Sequence, residues 1–302
     1  MKSIILGNQK LKIKDYFCST GDEYPPKRDG KLWLYVNLTD ICNGSCPFCI
    51  NPCVKNGTKK VDIQSFHEVL QRIKDHVYGV SVTGGEPMLF PKMINEIIGI
   101  VDEEFGSGVE MDIVTNGTDF AKIPEMLDLD HLDSVHLSRH AISDEENNLV
   151  FGFPTATSEV IASVLKKLDD PAQIVLNCVL MSGGIDNVQK ITSYLDFASE
   201  LGVRNVSFIG LSRHNKFCEE HYIDPNLLDI FHDPRFHKWN GFHDHDYCSC
   251  CSGSYDAPNS SIRFYYRRLG NGNAPYARNL VYTADNRLLA GFSGNEIKFG
   301  DF

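Results

Sequence analysis

From residue 31 onward the chain repeats one two-part unit, a short apolar run followed by a segment of helical period, and this alternation limits its fold more than any other feature. Residues 31–38 (KLWLYVNL) read as a strand, and residues 62–74 (DIQSFHEVLQRIK) as an amphipathic helix with Asp62 placed to cap it. The unit then recurs. Strands are expected over 77–83, 109–115, 134–138, 174–180 and 205–210, and helices over 91–104, 122–127, 157–168 and 187–201. Gly202 falls where a helix C-terminus favours a left-handed residue. Six strands alternating with five helices call for an α/β fold on a parallel sheet with right-handed crossovers. After Leu211 the pattern breaks: residues 212–251 are rich in His, Asp, Asn and Cys, and 261–292 look like short strands with turns at Gly270-Asn271-Gly272 and Asp285-Asn286. The expected organisation is an N-terminal arm (1–30), a barrel or sheet carrying the chemistry (31–211) and a smaller C-terminal region (212–302).

A chain of 302 residues with 42% hydrophobic content can bury a large core, which excludes disordered and fibrous classes. No run approaches the ~18 apolar residues of a membrane span, and the apolar run after Met1 is too short for a signal peptide, so no membrane partner and a cytoplasmic location are expected. The charge of −11 (29 Lys+Arg against 40 Asp+Glu) argues against a partner bound mainly through phosphates and places an RNA substrate last. Ten cysteines in a reducing compartment point to metal or redox chemistry rather than to disulfides.

Ligands of parallel α/β folds gather beyond the C-terminal ends of the strands. After the first strand stands Cys42-Asn43-Gly44-Ser45-Cys46-Pro47-Phe48-Cys49. Thiols at C-x-x-x-C-x-x-C spacing on a short loop can wrap one iron–sulfur cluster and leave one iron without a protein ligand. Zinc competes for the same thiols and would draw on Cys53, and non-ligating cysteines are a third reading; the spacing favours the cluster. After the second strand, Thr83-Gly84-Gly85-Glu86-Pro87 opens the backbone to close approach, although alone it would be only a tight turn. Thr115-Asn116-Gly117 and Ser138-Arg139-His140 follow the third and fourth strands, and each alone is a turn or a solvated loop. Their occurrence at successive strand ends sets them apart.

This combination, with an aromatic residue before the last cysteine, resembles the radical S-adenosylmethionine (SAM) superfamily over roughly residues 31–211. The resemblance implies a partial (βα)6 TIM-like barrel in which Cys42, Cys46 and Cys49 hold a [4Fe-4S] cluster whose open iron chelates SAM. It places Gly84, Gly85 and Glu86 at the methionine amino group, Asn116 and Ser138 where the ribose or carboxylate is reached, and Phe48 beside the adenine. Arg139 is a fitting carboxylate partner, since its fork matches that geometry. In such enzymes the cluster donates an electron to the sulfonium, and the 5′-deoxyadenosyl radical so formed abstracts a substrate hydrogen while the protein orients and excludes water. A low-potential donor such as flavodoxin or ferredoxin is implied.

Residues 214–251 hold six of the 11 histidines and four of the 10 cysteines. A candidate auxiliary iron–sulfur cluster draws on Cys218, Cys248, Cys250 and Cys251, with zinc or free thiols as the competing readings. The longer multi-cysteine patterns of common auxiliary-cluster domains are missing, and adjacent Cys250 and Cys251 are a strained pair of ligands for one cluster. Asp144, Glu145 and Glu146 read as a solvated acidic stretch in a long loop over 140–153 that covers the substrate.

Two substrate classes follow. The short barrel and cysteine-rich C-terminal region favour a ribosomally made peptide, whereas the lack of a recognisable peptide-binding domain in the N-terminal arm favours a small metabolite, nucleotide or sugar. A non-catalytic iron–sulfur protein for electron transfer or binding is the reading from another class; Gly84-Gly85-Glu86 argues against it, because an electron carrier has no use for a SAM-binding edge.

Overall fold

The computed structural model describes residues 2–13, 31–51, 57–238, 252–267, 277, 279–292 and 294–299. The chain opens with a hairpin, β1 (Lys2–Leu6) and β2 (Gln9–Ile13), turned at Gly7, within the expected N-terminal arm. All six expected strands form, with ends within one residue of the expected ones: β3 (Leu32–Asn37), β4 (Val77–Thr83), β5 (Glu110–Thr115), β6 (Ser134–Ser138), β7 (Ile174–Leu180) and β8 (Asn205–Gly210). They lie parallel and in chain order. The connecting helices are α1 (Ile63–Ile73), α2 (Pro91–Phe105), α3 (Ile123–Met126), α4 (Asp144–Phe151), α5 (Ser158–Leu165) and α6 (Val188–Leu201).

Local chemistry sets the helix ends. Asp62 accepts from the Ser65 amide at the start of α1, whose buried face is Phe66, Leu70 and Ile73. Pro91 opens α2, and Gly202 in the left-handed region (φ 91°) ends α6. Helix α4 replaces the loop expected over 140–153. Its only buried residues are Asn147 and Phe151, so no apolar stripe announces it. It is made instead by Ser143, which accepts from the Glu146 amide, by an acidic first turn facing the helix dipole, and by Gly152 (φ 73°) beyond its end.

The residues after Leu211 join the same sheet. Helix α7 (Lys216–Glu220) follows β8, and then come β9 (Phe236–Lys238), β10 (Ser252–Asp256), β11 (Ser261–Arg267), β12 (Asn279–Tyr282), β13 (Leu288–Leu289) and β14 (Glu296–Ile297). β11 adds in parallel to β8 and β12 in parallel to β3, so both edges of the central run are extended. The resulting order is β14-β13-β12-β3-β4-β5-β6-β7-β8-β11-β10-β9.

The two faces of this sheet differ in chemistry. Cys178 and Phe208 face Tyr194 of α6, and Tyr282 faces Phe66 of α1, so these alternate positions meet the helices. The intervening positions carry polar side chains that pair with one another: Trp33 Nε1 donates to Ser81 Oγ (2.7 Å), and His136 Nδ1 meets Asn177 Oδ1 (3.0 Å). Strand alternation therefore turns an apolar wall outward and a polar wall toward the ligand side.

Candidate functional site

The cysteine loop is held by backbone pairing with the Gly-Gly-Glu segment. Gly85 N donates to Thr39 O (2.7 Å) and Glu86 N to Ile41 O (2.8 Å), so the two strand-end segments run against each other just before Cys42. This contact explains the paired glycines. A Cβ on Gly85 would collide with the Ile41 carbonyl, and Gly84 has φ of 122° with the Thr39 carbonyl 2.8 Å from where its Cβ would stand.

Glu86 is 1% exposed and takes three donors: Met88 N (2.9 Å), Thr115 Oγ1 (2.6 Å) and Asn116 N (2.7 Å). Burial pushes its carboxyl up to about 7 against the pull of those donors. Its carboxylate thus ties the ends of β4 and β5 together, which gives it a positioning role. Asn116 is committed in the same way. Its Nδ2 donates to Asn43 Oδ1 (2.9 Å) and points at Cys42 Sγ (3.9 Å), while its Oδ1 accepts from the backbone and hydroxyl of Thr118 (3.0 and 2.7 Å). Asn116, expected to reach the ribose or carboxylate, engages these polar atoms in shaping the cysteine loop.

Cys46 lies half-buried between Cys42 and Cys49, and burial followed by the charges of Cys49 and Cys42 pushes its thiol up to about 12. Three mutually repelling thiolates need a positive centre to stay ionised, which is what an iron cluster supplies. Among the described residues no three His, Cys, Asp or Glu side chains converge as ligands of a single ion. In a cluster each thiolate takes a different iron, so thiols spread along a loop fit it; Cys53, the fourth ligand weighed for zinc, lies outside the described residues. Asn37, at the end of β3, adds a buried Oδ1 with no partner among the described residues.

Ser138 ends β6 half-buried, and its hydroxyl has no partner among the described residues, as a ligand contact requires. Arg139 is a correction. It is 1% exposed and turns to the helix side, where NH2 binds Asp144 Oδ1 (2.7 Å) and Ile142 O (2.6 Å) and the guanidinium lies 4.9 Å from the Phe197 ring centroid. The reason is strand alternation, which sends Arg139 to the face opposite Ser138. Asp144, read as part of a solvated loop, is its half-buried partner; partial burial opposes its charge, and hydrogen bonds from Arg139 and Ser158 hold it below the usual carboxylate range.

The C-terminal segment reaches back to the cysteine loop. His214 Nε2 lies 3.0 Å from Cys49 O, and Asn215 Nδ2 donates to Pro47 O (3.0 Å) while Asn215 Oδ1 caps α7 through Cys218 N (2.8 Å). Cys218, expected with Cys248, Cys250 and Cys251, packs instead in a small apolar cluster with Val179, Met181 and Leu211, against which Phe48 rests. Burial, with the Cys49 charge contributing, raises its thiol. Cys248, Cys250 and Cys251 lie outside the described residues. The clamp made by His214 and Asn215 escaped the sequence reading; the signal within reach was Asn215 as a helix N-cap.

Comparison with known proteins follows these lines. The chain is 28% identical over 220 residues to a probable GTP 3′,8-cyclase of Methanosarcina acetivorans, covering 69% of this chain and 62% of that protein. It is 25% identical over 177 residues to the PqqA peptide cyclase of Methylorubrum extorquens, covering 57% of this chain and 44% of that protein. The chain thus spans less than two thirds of either relative. The crystal structure of Streptococcus suis SuiB bound to S-adenosylmethionine shares the fold at a TM-score of 0.59 and 14% identity, covering 88% of this chain and 62% of that one. Residues 36–209, more than half of the chain, match the profile of the Radical SAM superfamily, whose members use a [4Fe-4S] cluster and SAM; the chain belongs to that superfamily.

Proposed function

We propose that this protein reductively cleaves SAM at a [4Fe-4S] cluster held by Cys42, Cys46 and Cys49, and abstracts a hydrogen atom from a ribosomally made peptide. The observation that supports the first half is the pairing of Gly85 N with Thr39 O and of Glu86 N with Ile41 O, which sets the Gly-Gly-Glu segment beside the loop of three thiols. When bound, the cluster and SAM supply one-electron cleavage of a C–S bond and a hydrogen-abstracting carbon. The chain's own residues do the rest. Gly84 and Gly85 keep the edge open, Glu86 and Asn116 hold it in register with the loop, Ser138 offers a free hydroxyl, and Phe48 supplies an apolar wall that keeps water out.

The barrel-like closure belongs to the same reading. In a flat sheet β3 and β8 would lie five strand spacings, roughly 24 Å, apart, yet His214 beyond β8 reaches Cys49 beyond β3 at 3.0 Å. This bridge supports reading the sheet as curled toward its polar face, with residues 31–211 as the core and residues 212–302 helping to close it.

The choice of a peptide rests on the polar wall. Ligand-side positions of β4 to β8 include Ser81, Asp112, His136, Asn177 and Ser207 and no Lys or Arg, and a triphosphate would meet Asp112 there. The peptide cyclase relative and SuiB, solved with its precursor peptide SuiA, support this choice, whereas the GTP cyclase relatives support a nucleotide. Anaerobic reconstitution with iron and sulfide, then reduction with SAM by flavodoxin or ferredoxin, tests the chemistry. 5′-Deoxyadenosine is expected, and its failure to exceed a Cys42→Ala, Cys46→Ala, Cys49→Ala control overturns the proposal. Iron counting on that variant tests a second cluster at Cys248, Cys250 and Cys251: about four residual irons support it and near zero removes it.

A further inference from the structure

His140 is 5% exposed and lies beyond β6, next to Val179 of β7. Its backbone N–H donates to Asn147 Oδ1 (2.7 Å), which fixes the main chain, and its Nδ1 accepts from the Val179 N–H at 3.2 Å. A ring nitrogen that accepts carries no proton, so the neutral imidazole carries its proton on Nε2. Burial disfavours a second proton and pushes the group down to about 3.

The ring is also fixed in plane. It stacks on Phe151 (5.0 Å between centroids, 16° between planes) and meets Phe48 in a T-shaped contact (5.0 Å, 84°). Nothing among the described residues accepts from Nε2, and this atom is not one of the fully enclosed, partnerless atoms of the structure, so the donor is left unpaired without being sealed off. The result is a single, immobile N–H donor at an aromatic notch formed with Phe48.

We propose that His140 is a SAM-binding residue whose Nε2–H donates a hydrogen bond to a ring nitrogen of the adenine packed beside Phe48. The inference rests on the reading that Phe48 walls the adenine site. A purine offers flat apolar faces to such a notch and acceptor nitrogens at its edge, and a fixed donor selects one of them without an ordering cost.

The test is equilibrium SAM binding by calorimetry on the reconstituted, unreduced protein. His140→Phe, which keeps the ring stacking, is expected to raise the Kd about tenfold, and His140→Gln, which restores an amide donor, to recover part of the loss. SAM analogues with N1, N3 or N7 replaced by C–H supply the second readout. One of them is expected to bind wild type about tenfold more weakly than SAM, with no such difference in His140→Phe. An unchanged Kd in His140→Phe, or equal binding of all three analogues by wild type, overturns the inference; in the second case a Kd that still rises on His140→Phe moves the contact to the ribose. If wild type forms 5′-deoxyadenosine while His140→Phe keeps its Kd, this inference alone fails; if wild type binds no SAM, the proposed function fails with it.

Discussion

His214 Nε2 stands 3.0 Å from the carbonyl oxygen of Cys49, so the segment after the sixth parallel strand holds the last cysteine of the loop after the first. Asn215 makes the same bridge to Pro47, and together they fix the end of the loop whose beginning is held by Gly85 and Glu86. His214→Ala with Asn215→Ala is expected to leave the fold intact, since both side chains lie toward the surface, and to speed loss of iron to a chelator roughly fivefold, the worth of about 1 kcal/mol of lost hydrogen bonding. Chelator kinetics followed at the cluster absorbance check it, and rates equal to wild type would show that the bridge does not hold the loop.

Gly85 and Gly99 form a matched pair for substitution. Ala at 85 drives a methyl into the Ile41 carbonyl, whereas nothing lies within 4 Å of the position a Cβ would take at 99, in α2. Gly85→Ala is expected to cost about 1–3 kcal/mol and to weaken SAM binding, and Gly99→Ala to stabilise by about 0.5–1 kcal/mol through helix propensity with SAM binding unchanged. Urea unfolding and SAM titration measure both.

Arg139 separates a structural cation from a ligand-binding one. Arg139→Lys keeps the charge but loses the fork to Asp144 and the Ile142 carbonyl inside the fold, and is expected to cost about 3 kcal/mol with SAM affinity within about twofold of wild type. A tenfold weaker SAM Kd with unchanged Tm would return Arg139 to the ligand.

Glu104 on α2 gathers Lys74, Gln71 and His67, and their hydrogen bonds, Lys74 first, hold its carboxyl down to about 2. A carboxyl depressed on folding stabilises above its unfolded value near 4.5 and loses that contribution as pH falls toward 2. Glu104→Gln is therefore expected to lower stability by about 1 kcal/mol at pH 7 and to converge with wild type near pH 2. Unfolding midpoints measured across that window check the sign; a constant difference between the two proteins at every pH would rule out the linkage.

What was legible along the chain was local. Period-2 and period-3.6 patterns marked β3 to β8 and the helices with clear apolar faces, because burial of one face is written directly into residue spacing. Helix α4 was missed because its stability comes from a cap, a dipole and a terminal glycine rather than an apolar stripe. The cysteine loop and the Gly-Gly-Glu turn were readable as motifs, since both are contiguous.

Side-chain direction and long-range contact were decided in three dimensions. Ser138 and Arg139 are neighbours, yet the pleat sends one to the ligand side and the other to Asp144 on the helix side. Glu86 and Asn116 carry motif identities that suggest ligand contact, but the packing of β4 against β5 engages their polar atoms in holding the loops. Cys218 and Cys49 are far apart in the chain and come within electrostatic reach only because the segment after β8 returns to the loop after β3. The sequence by itself determined the alternating elements and the three-thiol loop, because periodicity and spacing are short-range properties. Which polar groups stay free for a ligand was decided by the tertiary structure, since that depends on partners that only the packing of separate strand ends brings together, as Glu86 with Thr115 and His214 with Cys49.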